Sequence, residues 1–307
     1  RRAFGARTIA AVWRAVRQLN PSNVRAEAER GVRVAVVGPM GWLQNAARFL
    51  LGENIEAYDK AEDTLILLPT PLQSPALGVL ARCDVIICCR DQRDPLPGVA
   101  AERVFDLDSP DDLPAAVELI VQESSLAWAR LPLARAFEGF RRAAAREIIQ
   151  ATSIENAVFV ASTALGNVIP NPLQPLASVA EALGDVVVLT ANQVRMMFRL
   201  GAAFDRQIGL RQQMPEAVAI VGAALGWRSI ARELVSKLPF GSGIAPKAGI
   251  AFAGTWAIGD AISFYYATGR RLSKREIRER FEAAHDTGRA TVDAIVARVC
   301  EDRLRNR

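Results

Sequence analysis

Apolar and polar positions follow two rhythms along this chain. Residues 3–19 keep helical spacing: Phe4, Ile9, Val12, Trp13, Val16 and Leu19 fall near one face, with Arg7, Arg14 and Arg17 between them. Asn20-Pro21 ends that helix, and the polar residues 22–30 extend as a short second one. The rhythm then changes. Val32-Arg33-Val34-Ala35-Val36-Val37-Gly38 is a β-branched run ending in glycine, the pattern of a buried parallel strand. Residues 42–51 return to helical spacing. Leu65-Ile66-Leu67-Leu68 before Pro69, Asp84-Val85-Ile86-Ile87-Cys88-Cys89, and Val104-Phe105-Asp106-Leu107 predict three more strands, and 112–123 a closing helix. Strands alternating with helices predict a small open α/β sheet.

From residue 123 onward the strand texture largely disappears. Residues 126–150 read as a connecting helix rich in Ala and Arg, and 151–269 as apolar helices punctuated by Pro and Gly. Residues 273–304 read as one charged amphipathic helix whose packing face is Ile277, Phe281, Ala284, Val292, Ile295 and Val299. The expected fold class is therefore α/β plus all-α: a truncated parallel sheet followed by an apolar helical bundle. Four segments follow: an N-terminal amphipathic arm (1–30), the α/β domain (31–122), a connecting helix (123–150) and a helical domain (151–307).

The apolar helices raise the question of a membrane. Asn156 to Ala180 is 25 residues without a charge, and a bilayer span takes ~20 apolar residues. Pro170, Pro172 and Pro175 cut that run, however. The run Val186 to Val194 is bounded by Asp185 and Arg195, and segment 248–269 carries Asp260 in its middle. No run is a clean span; a very apolar soluble bundle and helical hairpins that enter a bilayer both fit. Ala251, Thr255, Gly259, Ser263 and Ala267 recur every four residues, and Gly222 and Gly226 form GxxxG. Stripes of small residues let helix backbones approach closely, in membranes and in Ala-rich soluble bundles alike.

Composition narrows the classes. Hydrophobic residues make up 50% of the 307, and charged residues 23%, which excludes a disordered chain. Four cysteines are too few for a disulfide scaffold; Cys83, Cys88, Cys89 and Cys300 read as reduced and mostly buried. The net charge of +5 is uneven: +5 over residues 1–31, −7 over 32–121, +2 over 122–150, +1 over 151–269 and +4 over 270–307. An acidic α/β domain flanked by basic helices fits an anionic membrane surface better than nucleic acid, for which no binding motif is present. Arg1-Arg2-Ala3-Phe4 leads into a charged segment rather than an apolar signal core, so the chain is expected to face the cytosol.

The candidate chemistry is sparse. Gly38-Pro39-Met40-Gly41-Trp42 follows a strand and opens a helix, where a phosphate-binding loop belongs. Such a loop needs a Lys for the phosphates and a hydroxyl for Mg²⁺. The only lysines are Lys60, Lys237, Lys247 and Lys274, and no Ser or Thr lies between 38 and 52. Trp42 would also crowd the phosphate position, and the G-x-G-x-x-G dinucleotide pattern is missing. The one histidine, His285, cannot furnish a multi-histidine metal site, and no G-x-S-x-G elbow accompanies it. No catalytic and no metal-binding residue is assigned. Asp185 and Asp260 are acids within apolar helices, and each needs an Arg, a helix N-terminus or a hydroxyl as partner. With Gln193, Gly254, Thr255 and Gly259 they form the set of expected packing and buried polar positions.

Two resemblances bear on function. Pro69-Thr70-Pro71-Leu72 resembles the D-T-P-G turn of translation-factor-type GTPases, with Pro69 in place of the Asp and Leu72 in place of the Gly. Asp84-Val85-Ile86-Ile87 resembles the strand that follows it there, and in Phe105-Asp106-Leu107-Asp108 only Asp108 matches N-K-x-D. The resemblance implies a degenerate GTPase-like domain whose cleft would involve Gly38, Gly41, Thr70 and Asp108, with guanine nucleotide the one conceivable cofactor. Asn171-Pro172, Asp185, Thr190, Gln193, Met196-Met197 and Gly209 follow a second pattern. They are joined by Leu238-Pro239-Phe240, Gly243, Lys247, Gly254-Thr255, Ile258-Gly259, Tyr265-Tyr266 and Gly269. Together these resemble the YcjF-like domain-of-unknown-function family, DUF-697. That family is typically bacterial and helical, and often lies behind Era- or Der-like GTPase domains.

The resulting expectation is a non-catalytic, membrane-associated regulatory or scaffold protein on the cytoplasmic side of a bacterial inner membrane. Its partners would be the anionic membrane surface and a GTPase or other protein, with an oligomer also open. The alternatives are a GTP-binding switch with weak or atypical GTPase activity, and a soluble, cytoplasmic helical interaction protein.

Overall fold

A computed structural model describes residues 2–53, 61, 63–72, 74–89, 99–166, 174–221 and 244–305. The chain divides into two compact units. An α/β unit comprises 22–147 with 202–206, and a helical unit comprises 1–21, 148–201 and 207–307. Mostly helical overall, the described chain carries one small parallel sheet.

Helix α1 (Arg2–Gln18) belongs to the helical unit. The α/β unit opens with α2 (Ser22–Ala28), then β1 (Val34–Gly38), α3 (Met40–Leu51), β2 (Leu65–Pro69), α4 (Ser74–Leu80) and β3 (Val85–Cys89). It continues through β4 (Val104–Leu107), α5 (Leu113–Gln122) and α6 (Arg130–Ala136). The strands are all parallel, in the order β2-β1-β3-β4. Val34 pairs with Leu65 on one side and Val85 on the other. Every residue of β1 and β3 is buried, which is why both read as unbroken apolar runs; β2 and β4 lie at the edges and are only partly buried. Ala35, Val37, Ile86 and Cys88 join Leu80 and Cys83 in one core face. The turn before α5 is fixed by Ser109, whose N–H donates to Asp112 Oδ2 at 3.1 Å while its Oγ accepts from the Asp111 N–H at 3.3 Å.

The segment 126–150 is not one helix. A 3₁₀ stretch (Ser124–Ala129) leads into α6, Phe137 is extended (φ −125°, ψ 121°), and α7 (Glu138–Gly166) starts afresh. The break turns the fully buried Phe137 and Phe140 into the core with ring centroids 6.1 Å apart. It also brings Gly139 against the backbone of α3, where a Cβ would lie 2.8 Å from the Phe49 carbonyl oxygen.

The helical unit takes up α7 from Ile148 onward, then α8 (Gln174–Ala203), α9 (Ile244–Thr268), α10 (Lys274–Thr287) and α11 (Arg289–Arg305). Pro175 does not interrupt a helix but sits in the first turn of α8, where its missing N–H costs no intrahelical bond. Helix α8 then runs through both Asp185 and Arg195. Pro170 and Pro172, like the Gly222–Gly226 pair, lie outside the described residues. Helix α9 is central: Ala248, Phe252, Thr255, Ile258, Gly259, Ile262 and Tyr266 are buried on several of its faces, and α10 and α11 pack on it. Of its small-residue stripe, Thr255 and Gly259 are buried whereas Ala267 is exposed. Among the described residues no helix is long and apolar enough to cross a membrane.

The C-terminal stretch is two helices rather than one, and the break falls at Gly288. A Cβ there would lie 2.3 Å from Phe252 Cε1, so a glycine is what admits the α9 ring at the bend. Phe281, Ala284 and Val292 are buried, while Ile277, Ile295 and Val299 are half-buried.

Candidate functional site

The sheet order sends the chain from β1 to β2 on one side and back across to β3 on the other. The carboxyl ends of β1 and β3 therefore flank a topological switch point, the place where open α/β sheets bind ligands. Gly38 ends β1, Pro39 follows in extended conformation (φ −62°, ψ 152°), and α3 begins at Met40. Trp42, in the first turn of α3, is buried and lies over Gly38. A Cβ at Gly38 would be 3.1 Å from Trp42 Cε3 and 3.1 Å from Cys89 Cβ. The absence of a side chain at Gly38 thus leaves room for the Trp42 indole and for Cys89. Trp42 Nε1 is buried with no hydrogen-bond partner among the described residues.

The four expected cleft residues divide. Gly38 and Thr70 meet, because the Thr70 N–H donates to the Gly38 carbonyl at 3.2 Å and extends the β1–β2 pairing. Gly41 is exposed, and a Cβ there would touch nothing within 4 Å, so no close approach requires glycine. Asp108 is exposed and follows β4, with β3 standing between that strand and β1. Cys89, at the end of β3, is the wall residue that sequence reasoning missed. Neighbouring Cys88 has its thiol pushed up to about 12 by burial, aided by the Asp106 charge and by Cys89. Burial, with Asp84, also raises Cys83. These two stay protonated near neutrality and serve as small core side chains rather than nucleophiles.

A second set of polar residues lies in the helical unit. Asn156 of α7, Asn192 and Gln193 of α8, and Thr255 of α9 are all buried. Asn156 Nδ2 donates to Thr255 Oγ1 at 2.8 Å, and Gln193 Nε2 donates to the same oxygen at 3.3 Å. Asn192 Nδ2 donates to Asn156 Oδ1 at 2.9 Å, and Arg195 donates to Asn192 Oδ1 at 3.0 Å. The node thus links three helices through partners that satisfy one another. Gln193 and Thr255 were expected at buried positions; Asn156 and Asn192 were missed, although Asn156 opens the uncharged run. Thr190 is spent locally, its hydroxyl donating to the Val186 carbonyl at 2.7 Å.

Close packing surrounds the node. Gly254 and Gly259 are buried, and a Cβ at Gly259 would lie 2.7 Å from Ile149 Cγ1 and 3.0 Å from Met196 Sδ. Asp260 stands apart from the node and pairs with Arg280 of α10, whose guanidinium lies 5.3 Å from the Phe264 ring centroid. Asp185 falls within α8, but its side chain lies outside the described residues. His285 stacks on Phe281 (centroids 6.4 Å apart) and lies 3.6 Å from Asp286. Among the described residues no three His, Cys, Asp or Glu side chains are grouped to hold a metal ion.

The node is made of three amides, a hydroxyl and the Arg195 guanidinium, and its hydrogen bonds fix the register of the three helices. Comparison with protein-family models, with curated proteins and with solved structures gives no match.

Proposed function

We propose that this is a non-catalytic regulatory or scaffold protein whose α/β unit is a degenerate relative of the GTPase fold. The observation that carries the reading is Trp42, buried and packed on Gly38 where β1 turns into α3, beside the switch point at which a nucleotide phosphate would be bound in an intact GTPase. The turn also has neither the lysine nor the hydroxyl that phosphate and Mg²⁺ require. Without such chemistry, the α/β unit acts as a folded surface for another protein, a GTPase being the partner class the resemblance suggests.

Membrane association is the second half of the proposal. Its support is the basic balance of residues 1–31 and 270–307 around an acidic α/β region. Arg270 and Arg275 on the C-terminal side are exposed, although each is paired with a carboxylate, Glu276 and Glu279, so the support is the net balance of the segment rather than these two residues. Attachment would be to the anionic surface, on the cytoplasmic side of a bacterial inner membrane. Vesicle flotation tests this half. The full chain should float with phosphatidylglycerol vesicles, remain behind with phosphatidylcholine ones, and detach as salt screens the attraction. Equal recovery from both vesicle types, or none from either, contradicts it.

A further inference from the structure

A groove of about 250 Å³ opens in the helical unit between the helical residues 214–221 and the C-terminal half of α9, with the α9–α10 turn at its side. Alanine makes the room: Ala219 lines one wall, and Ala257 and Ala261 of α9 line another. Ile220, Ile258 and Ile262 extend the apolar lining, and Leu272 and Ile277 add to it from the turn and α10. Met214 and Val218, on the same helical residues as Ala219, are 38% and 51% exposed. Apolar side chains left in water beside an apolar groove mark a surface that meets an apolar partner.

The charged residues of the lining, Glu216 and Arg271, balance each other. The surplus lies in the turn, where Arg270, Arg271, Lys274 and Arg275 fall close together with no acid between them. Arg270 and Arg275 are bound to Glu276 and Glu279. Arg271 and Lys274 are exposed and pair with no carboxylate among the described residues. The Arg271 guanidinium lies over the Tyr265 ring, 5.7 Å from its centroid. Stacking occupies the flat face of a guanidinium and leaves its N–H edge for an oxyanion. A basic cluster beside an apolar surface is the arrangement that recognises anionic lipid.

Size separates the occupants. One turn of helix, about 10 Å across and about 5.4 Å high, fills roughly 400 Å³, more than the groove holds. A single hydrocarbon chain is narrower and asks for no hydrogen bond from an apolar lining. We propose that the groove takes one acyl chain of an anionic phospholipid, with Arg271 and Lys274 supplying the cations for its phosphate. The inference rests on the membrane reading for the source of the lipid, and it adds a specific seat to an attraction between charged surfaces.

Calorimetry on the full chain tests the proposal with dihexanoyl phosphatidylglycerol and dihexanoyl phosphatidylcholine, both kept below their micelle concentrations. The glycerol lipid should bind at a single site with Kd of about 200 μM or tighter, and the choline lipid at least about fivefold more weakly. Ala219→Trp puts an indole into the groove from an exposed position without changing charge, and should weaken the glycerol lipid at least about tenfold. Ala219→Leu, a smaller filler, decides the matter if Ala219→Trp does not fold. Arg271→Gln should bring the two lipids within about twofold of each other. No saturation by the glycerol lipid up to about 2 mM, equal affinity for both lipids in the wild type, or wild-type affinity in folded Ala219→Trp overturns the proposal. Vesicle flotation keeps the two readings apart: charge attraction needs no groove, so it survives failure here, whereas short-lipid binding without flotation contradicts the membrane reading alone.

Discussion

Trp42 packs directly on Gly38 at the head of the sheet: the indole Cε3 lies 3.1 Å from the position a Gly38 Cβ would take. Each residue presupposes the other. Trp42→Ala removes a buried aromatic and should destabilise the fold by about 3–5 kcal/mol. Gly38→Ala meets Trp42 and Cys89 together and should cost about 1–3 kcal/mol. Urea unfolding midpoints check both values.

Gly259 and Gly41 make a contrasting pair. A methyl at Gly259 would press on Ile149 and Met196, so Gly259→Ala should cost about 1–3 kcal/mol. Gly41 has open space around its Cβ position and lies in the first turn of α3, so Gly41→Ala should stabilise by about 0.5–1 kcal/mol. Urea unfolding midpoints check both; stabilisation by Gly259→Ala would show that packing at Gly259 is not the deciding effect, and destabilisation by Gly41→Ala would remove the open-space reading of that position.

Asn156 is the bridge of the buried node, accepting from Asn192 and donating to Thr255. Asn156→Ala strands the Asn192 donor in the interior and should cost about 1–3 kcal/mol. In a double-mutant cycle, Asn156→Ala with Thr255→Val should be non-additive, since the second change removes a partner that the first has already lost.

Glu276 gives the pH prediction. Its carboxyl is lowered from 4.5 to about 2, first by the hydrogen bond from Arg270 and then by the Ser273 backbone N–H of the α10 cap. Between pH 4.5 and about 2 the unfolded chain takes up this proton while the native one does not. The contribution is complete above 4.5 and is lost as pH falls through about 2. A carboxyl-carbon NMR titration should place the Glu276 midpoint near 2; a midpoint near 4.5 would remove the cap from the account.

The sequence disclosed the strands because burial on both faces leaves its mark on every residue of β1 and β3. Helix breaks were harder to read. Neither Phe137 nor Gly288 is marked by an adjacent proline; both interruptions answer to tertiary contacts, of Gly139 with Phe49 and of Gly288 with Phe252. At the head of the sheet, Trp42 was legible because it follows the Gly38 turn directly, whereas Cys89 arrives from a different strand. The buried node was half legible. Thr255 showed as a small residue in a stripe, but its bond to Asn156 joins positions 99 apart, and no local pattern records that pairing. Asp260 announced a need for a partner, and Arg280 supplies it from the next helix.

If the α/β unit is a degenerate GTPase relative, as proposed, it binds no nucleotide at the Gly38 turn. Titration of the full chain with a fluorescent GTP analogue and Mg²⁺ tests it most directly. The account predicts no saturable signal up to about 1 mM, with and without Mg²⁺. Saturable, Mg²⁺-dependent binding at about 10 μM or tighter would contradict it.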